Sequence, residues 1–462
     1  EEDYLTESKI TGMSKYYTDY YGTHMKFDEY PKFGILSSLK VITTGVNIAG
    51  PFAGAIMAEM GAQVIQIEHP KMPCSTRGNY GYAQEHRNGF AVAMDTHSKR
   101  GQEVFKKLLA WADIWIESGR PGAYAKMGLT DEFIWENLNP KLSIVHVSGY
   151  GQYGPDKDKA AYDVSGQAMG GYMYLNGTSP TAPPLKVNPY LSDYATALNA
   201  AILGLSLVVH ARDTGEGDSA DLSQYETMFR LLGSYPADWF NRGYPGPGEP
   251  VRWRTGNVSD QSCGFSFYDC KDGGTIFIGC VGAGNVKRGY PIFGLPLPGT
   301  TDPDIYEGFT GALITLPVGQ RVEAAIKKYC SERTVDEVEA ELTAAGVPNQ
   351  KAFGPEDILK NEQYAAREDI ITWTDSVYGE MKGAGIMNKI KRNPSKIVAP
   401  APTLGEHNVE VFKAMGFDDQ FIDEMYEAGE FAGMDPKETA ERWRLKEWNF
   451  FWRPDQAEKL GL

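Results

Sequence analysis

Between Lys40 and Leu222 the chain alternates short β-branched runs with stretches of helical periodicity, and few architectures accept that rhythm. Lys40-Val41-Ile42-Thr43-Thr44 reads as a strand, Phe52 to Met60 as a helix with Pro51 at its first position, and Gln63 to Ile67 as the next strand. A second round follows, with a strand from Phe90 to Asp95, a helix capped by Ser98 that runs through Ala112, and a strand from Asp113 to Glu117. Thr130 caps a short helix with Asp131 and Glu132 in its first turn, and Leu142 to Val147 returns as a buried strand. Strands joined through helices run parallel in one sheet with helices on both faces, so the expected class is α/β.

Two glycine-bearing turns bear on nucleotide binding. Glu68 closes the second strand, where a dinucleotide fold would put its ribose acid, but the first turn, Gly45 to Pro51, lacks G-x-G-x-x-G. Gly149-Tyr150-Gly151-Gln152-Tyr153-Gly154 does carry that spacing, directly after a strand. Pro155-Asp156-Lys157-Asp158-Lys159 then replaces the apolar helix whose N-terminus would hold a phosphate. Nicotinamide binding is therefore not expected, and Gly149 to Gly154 reads as an active-site loop.

From Tyr194 to Val209 no residue is charged. The run opens after Asp193 and breaks at Asp213-Thr214-Gly215-Glu216-Gly217, an acidic start and a glycine stop for a helix. It falls short of the about 20 apolar residues of a membrane span, and Asn199 and Ser206 interrupt it, so a helix buried all round is expected. Asp193 stands where the chain enters that helix. Its carboxylate can be an N-cap accepting from the free helix N–H groups. Alternatively, those groups and the positive end of the dipole keep it ionised at low exposure, where it can attack an activated acyl carbon. Residue pattern alone leaves both open.

At 462 residues, two domains are expected. The formal net charge of -16 speaks against nucleic acid and anionic membranes as partners, so an anionic ligand needs a local basic cluster. Cys74, Cys263, Cys270, Cys280 and Cys330 form no C-x-x-C pair, which suits a reducing cytoplasm and neither a disulfide framework nor a zinc site. No signal peptide or transmembrane run is read. G-x-S-x-G, H-E-x-x-H and P-loop motifs are absent and the histidines are scattered, which sets aside serine hydrolase, zinc peptidase and NTPase chemistry. His69, Lys71, Arg77, His86 and Arg87 make the loop between Ile67 and Asn88 basic, either a phosphate site or a solvated surface, and Lys126 is a further candidate.

The expected organisation is an N-terminal arm at 1–38, with Tyr16, Tyr17, Tyr20, Tyr21 and Tyr30, followed by the first part of a large domain at 39–235. A linker at 236–260, Pro/Gly-rich at 243–248, leads to a small domain at 261–368. That domain opens on a hairpin, Gly264 to Tyr268 and Thr275 to Gly279 around Asp272-Gly273-Gly274, and has a capping box at Thr334 and Glu337. Residues 369–430 return to the large domain, and 431–462 form a tail with Trp443, Trp448, Phe450, Phe451 and Trp452.

Ile48-Ala49-Gly50-Pro51-Phe52-Ala53-Gly54, followed by Gly61-Ala62-Gln63-Val64-Ile65-Gln66-Ile67-Glu68, resembles the opening of the class III CoA-transferases, the carnitine dehydratase and bile-acid-inducible type. Gly149-Tyr150-Gly151-Gln152, Ala161-Tyr162-Asp163-Val164-Ser165-Gly166-Gln167-Ala168, and Asp193 spaced from Thr214-Gly215-Glu216-Gly217 are similar to the family as well. The likeness runs from about Leu39 to about Gly429. It implies a Rossmann-like large domain, a smaller α+β domain, and an intertwined homodimer whose chains thread through each other.

The resemblance also implies that Asp193 is the nucleophile. It would attack a donor thioester to give an acyl-aspartyl anhydride, which CoA thiolate converts to an aspartyl-CoA thioester before the acceptor acid takes CoA. CoA then enters as a substrate thioester, with no permanently bound cofactor and no metal. Tyr162 stands where the racemase branch has its acid/base histidine, so racemisation is not expected. Ile48 stands where some formyl-CoA transferases carry glutamine, which favours a bulkier, apolar acid. The phosphates of CoA are expected at His69, Lys71, Arg87 and Lys126. Within the family the chain is most similar to the bile-acid and carnitine transferases, on Asn188 to Asp193, Cys270 to Gly279 and the block from Lys287 to Thr300. The expectation is CoA transfer to bile acids, with carnitine or γ-butyrobetaine transfer, or thioester hydrolysis at Asp193, as alternatives.

Overall fold

The computed structural model describes residues 25–77, 79–179, 181–242, 254–259 and 262–431. The tyrosines before residue 25, the Pro/Gly segment at 243–248 and the aromatic tail after 431 lie outside those residues. Six strands, β1 (Lys40–Thr44), β2 (Gln63–Glu68), β3 (Phe90–Ala93), β4 (Ile114–Glu117), β5 (Ser143–Ser148) and β6 (Ser219–Ser223), form one sheet in the order β3-β2-β1-β4-β5-β6. Every pairing in it is parallel. The order reverses once. The first three strands build outward to one side, and the chain then returns to set β4 against β1. Loops leaving β1 and β4 therefore part in opposite directions, and a crevice opens beyond their carboxyl ends.

The principal helices of this layer are α1 (Pro51–Glu59), α2 (Lys99–Trp111), α3 (Asp131–Asn137), α4 (Asp163–Met169), α5 (Leu191–Thr214) and α6 (Gln224–Arg230). Successive residues of β4 divide between two cores, Ile114 and Ile116 in one and Trp115 in the other, as strand alternation requires. In the first core Ala53, Met57, Ala197, Ala200 and Val208 of α1 and α5 lie with Val41, Val145 and Val147. Glycine permits the close approach: a Cβ on Gly54 would stand 2.7 Å from Thr43 Cγ2, and one on Gly204 3.1 Å from Ile114 Cγ2. In the second core Phe105, Leu108 and Trp115 lie with Phe90, Ile144 and Phe412. Met25, Phe27, Tyr30 and Phe33 join that core, and the Tyr30 hydroxyl donates to Ala62 O at 3.0 Å, so the described end of the N-terminal arm is structural.

The expectation of a helix buried all round is corrected for α5. Its small residues face the sheet, while Leu198, Ile202 and Val209 are exposed. Length and composition would let α5 cross a membrane, but its small-residue face is committed to the sheet.

The chain divides into two compact units, one drawn from Glu1–Gly171, Asn188–Gly233 and Glu362–Leu462, the other from Tyr172–Val187 and Ser234–Asn361. In the second, β7 (Phe265–Asp269), β8 (Thr275–Gly279) and β9 (Asn349–Lys351) form an antiparallel sheet. Tyr268, Ile276 and Ile278 of that sheet share a core with Val322 and Ile326 of α7 (Pro317–Ser331) and Val338 and Leu342 of α8 (Val335–Ala344). The β7–β8 turn sets Gly273 at φ 81°, a value glycine adopts freely, and Thr334 and Glu337 form the capping box. From Glu362 the chain is again in the first unit, with the hairpin β10 (Ile370–Asp375) and β11 (Gly379–Ala384), then α9 (Asn408–Ala414) and α10 (Asp419–Glu427).

Candidate functional site

At the strand reversal lies a cavity of about 460 Å³, lined wholly by the first unit. Val46, Asn47, Ile48 and Ala49 come from the turn after β1, and Ser118, Gly119, Arg120 and Pro121 from the loop after β4. Val147, Ser148 and Gly149 come from the end of β5, and Lys157 to Tyr162 from the segment beyond it. Lys126, Asp193 of α5 and Gln224 of α6 complete the lining. Gly149 must lack a side chain here, because a Cβ would stand 2.0 Å from that of Ala161.

Asp163, the first residue of α4, holds the end of α5. Its Oδ1 accepts from Ser192 N at 2.7 Å and Asp193 N at 3.3 Å, and its Oδ2 from Gln167 Nε2 at 2.7 Å. Those backbone groups are N–H donors of the first turn of α5, which have no partner within the helix. The N-cap residue itself, Tyr190, sits at φ 31° in the left-handed region and supplies no side-chain cap. Capping thus falls to Asp163, and the half-buried Asp193 side chain is left on the cavity, its Oδ1 accepting from Gln224 Nε2.

This corrects the electrostatics expected for Asp193. The helix N–H groups expected to keep it ionised serve Asp163 instead. Burial pushes the Asp193 carboxyl up, the neighbouring Asp163 adds to the rise, and the Gln224 amide opposes it; the result is about 7. A carboxylate poised near neutrality, with one oxygen held by an amide, can serve as nucleophile or proton acceptor.

Four cations line the cavity, namely Arg120, Lys126, Lys157 and Lys159, the last paired with Asp156 at 2.8 Å. Of the residues expected to meet CoA phosphates, only Lys126 is among them. His69 lies 3.8 Å from Asp95 on the loop after β2, where its Nδ1 accepts from the backbone N–H of exposed Lys71; neither residue lines the cavity. Arg87 is a correction. It is buried, with Nη2 donating to Glu59 at 2.8 Å, Nη1 to Ala384 O at 2.9 Å, and its guanidinium over the Trp373 ring. A cation neutralised inside the core has no fork to offer a phosphate. Ile48 is a buried wall residue of the cavity, and Tyr162 an exposed one directly before α4. Asp163, Arg120 and Gln224 are site residues beyond those expected from the sequence. Arg120 does carry a signal there, because a residue just past the strand beside β1 must flank the reversal. Gln224 follows the Ser223 cap, a signal too common to single out.

Behind the Ser118–Pro121 wall, His146 bridges Glu117 and Asp131, each at 3.1 Å. Burial alone would push the imidazole down, but the two carboxylates hold it up at about 10. Among the described residues no His, Cys, Asp and Glu group is arranged to hold a metal ion.

The fold and site define a doubly wound α/β enzyme whose cavity lies at the strand reversal. Residues 36–408 match CoA-transferase family III, and the chain belongs to that family. It is 46% identical over 422 residues, 91% of this chain and 94% of the other, to the bile acid CoA-transferase BaiK of Clostridium scindens. Among solved structures it is similar to a CAIB/BAIF family protein of Brucella suis, with TM-score 0.70 and 23% identity over 83% of this chain and 100% of that one. It is likewise similar to Rv3272 of Mycobacterium tuberculosis, with TM-score 0.69 and 20% identity over 82% and 99%. These two likenesses speak to the fold alone.

The raised Asp193 carboxyl has a consequence for stability. The same group in the unfolded chain titrates at about 3.9. Keeping it ionised in the fold therefore costs stability, a cost absent below that value, growing as pH rises to about 7 and constant above. Asp193→Asn is expected to melt above the parent at pH 8, with the gap closing as pH falls toward 4. Calorimetric scans across that range measure it, and a gap independent of pH would contradict the assignment.

Proposed function

We propose that this family III CoA-transferase carries CoA from an acyl-CoA donor to a free acid through Asp193, and that its acids are bile acids. The observation that carries the reading is the Asp193 carboxylate on a cavity with four cations in its lining. Asp193 Oδ2, the oxygen not bonded to Gln224, attacks the donor thioester carbon; a C–O bond forms, the C–S bond breaks, and CoA leaves as thiolate. The thiolate then attacks Asp193 Cγ, forming Cγ–S and releasing the donor acid with the bridging oxygen. An acceptor carboxylate runs the two steps in reverse and leaves with CoA. Water takes no part, so the thioester energy passes to the new acid.

Arg120, Lys126, Lys157 and Lys159 are the groups for the phosphates of CoA, outnumbering Asp158 and Asp193 of the same lining on a chain of net charge -16. Arg120→Ala is expected to raise KM for acyl-CoA about tenfold, the size of a lost charge-assisted hydrogen bond. Arg87→Met is expected to leave KM alone and to lower stability by about 3–5 kcal/mol, because it strands Glu59 in the core. Steady-state kinetics and denaturant titration of both variants separate the two roles.

The likeness to BaiK and the apolar first-turn wall of Val46, Ile48 and Ala49 support bile acids as substrates. With a bile acyl-CoA and a second free bile acid, the parent is expected to exchange CoA and Asp193→Asn to exchange none. Hydroxylamine should trap an acyl-enzyme in the parent only, and kcat/KM should rise through about pH 7 as Asp193 ionises. CoA released equally fast without an acceptor would mean hydrolysis. Acceptance of γ-butyrobetaine and of no bile acid would overturn the substrate while leaving transfer in place.

The five free cysteines support a reducing cytoplasm. The outward apolar face of α5, with Leu198, Ile202 and Val209, supports an intertwined homodimer in which a second copy covers it. Sedimentation at micromolar concentration is expected to give a dimer, and Ile202→Glu to shift it toward monomer; an active monomeric parent would refute the assembly.

A further inference from the structure

Gln224 is the first residue of α6, directly after the Ser223 cap, and is only 6% exposed. Among the described residues its amide is the one donor bonded to the Asp193 carboxylate. Its side chain is confined as well. A Cβ on Gly166 would stand 3.0 Å from Gln224 Cβ, so α4 lies close against it. The first-turn N–H groups of α5, which could otherwise have faced a developing anion, are bonded to Asp163.

We propose that Gln224 is a catalytic residue whose amide N–H stabilises the negative charge on Asp193 Oδ1 each time Asp193 Cγ is attacked. The proposal rests on the reading of Asp193 as the acyl carrier. Once Oδ2 has formed the anhydride, Oδ1 is a carbonyl oxygen. CoA thiolate attacks Cγ, the C–S bond forms, and the carbonyl pair moves onto Oδ1 as an alkoxide. The pair returns as the bond from Cγ to the bridging oxygen breaks and the donor acid departs as carboxylate; no proton is consumed. In the second half, the acceptor carboxylate attacks the same carbon of the thioester and Oδ1 is charged again. A carbonyl, a carboxylate and an alkoxide oxygen all accept, so the amide presents its NH₂ throughout. The bond is strongest when Oδ1 carries full charge, which is the condition for lowering a barrier and not merely binding a ground state. By holding Oδ1, the amide also leaves Oδ2 as the attacking atom.

The test is kinetic, on purified full-length protein with an acyl-CoA donor and an acid acceptor. Gln224→Met and Gln224→Leu each remove the donor at similar volume. Each is expected to lower kcat about 100- to 1,000-fold, the effect of deleting one oxyanion donor. KM for acyl-CoA should stay within about threefold, and the acid limb of the Gln224→Met kcat/KM profile should move to higher pH because the opposing hydrogen bond is gone. Should Gln224→Met fail to fold, Gln224→Leu decides. A folded variant that keeps more than about a third of kcat, or a loss of kcat in Gln224→Met with an unmoved acid limb, overturns the proposal. Asp193→Asn is run in parallel. If it still transfers CoA, both readings fall; if it is inactive while the Gln224 variants work, only the role of Gln224 falls.

Discussion

The candidate site is organised by one carboxylate that does not itself line the cavity. Asp163 accepts from Ser192 N and Asp193 N, so the end of α5 is capped by a side chain from α4 and not by its own sequence. That single arrangement does three things. It holds α4 against α5, an approach so close that a Cβ on Gly166 would stand 2.3 Å from Ser192 Oγ. It frees the Asp193 side chain from local capping. It also sets a fixed negative charge beside Asp193, so that burial and repulsion together carry that carboxyl to about 7. Without Asp163 the helix N-terminus would draw Asp193 back onto its own backbone, the ordinary fate of an acid in a first turn.

Several buried charges elsewhere in the unit sit against charges of the opposite sign. Glu68, at the position a dinucleotide fold would use for a ribose, is buried against Arg77, with Nε at 3.0 Å and 3.1 Å from its two oxygens, and accepts from Cys74 N at 2.7 Å. Glu59 is paired with Arg87, and His146 is held between Glu117 and Asp131. Each of these is a closed set that braces a loop or strand end. Asp193 has a neutral amide for a partner and a second carboxylate for a neighbour. The contrast separates charges closed by an opposite charge from a cavity carboxyl that is not.

What the sequence made legible was whatever is encoded locally. The β-branched runs became the strands of the sheet, and Ser98, Thr130 and Thr334 cap their helices as single residues can announce, accepting from Gly101 N, Phe133 N and Glu337 N. Which face of α5 is buried was not legible, because a run apolar on all sides has no direction until Gly204 and the alanines meet a strand. Arg87 shows the same limit for charge: its sign is visible in the chain, but its partner Glu59 comes from α1 and reaches it only through the fold. The meeting of Asp163, Asp193 and Gln224 is likewise non-local, since about thirty residues separate each from the next.

Ser118 links the two walls of the cavity through the absence of side chains opposite it. A Cβ on Gly45 would stand 2.0 Å from Ser118 Oγ, and one on Gly50 2.5 Å, while the hydroxyl itself donates to Thr44 O at 3.2 Å. The turn that carries Ile48 is therefore keyed to the β4 loop as one mechanical part. A larger residue at Ser118 would be felt as a displacement of the Val46–Ala49 wall. Ser118, Gly45 and Gly50 thus form one steric unit, in which a gain of volume at any of the three must be met at another.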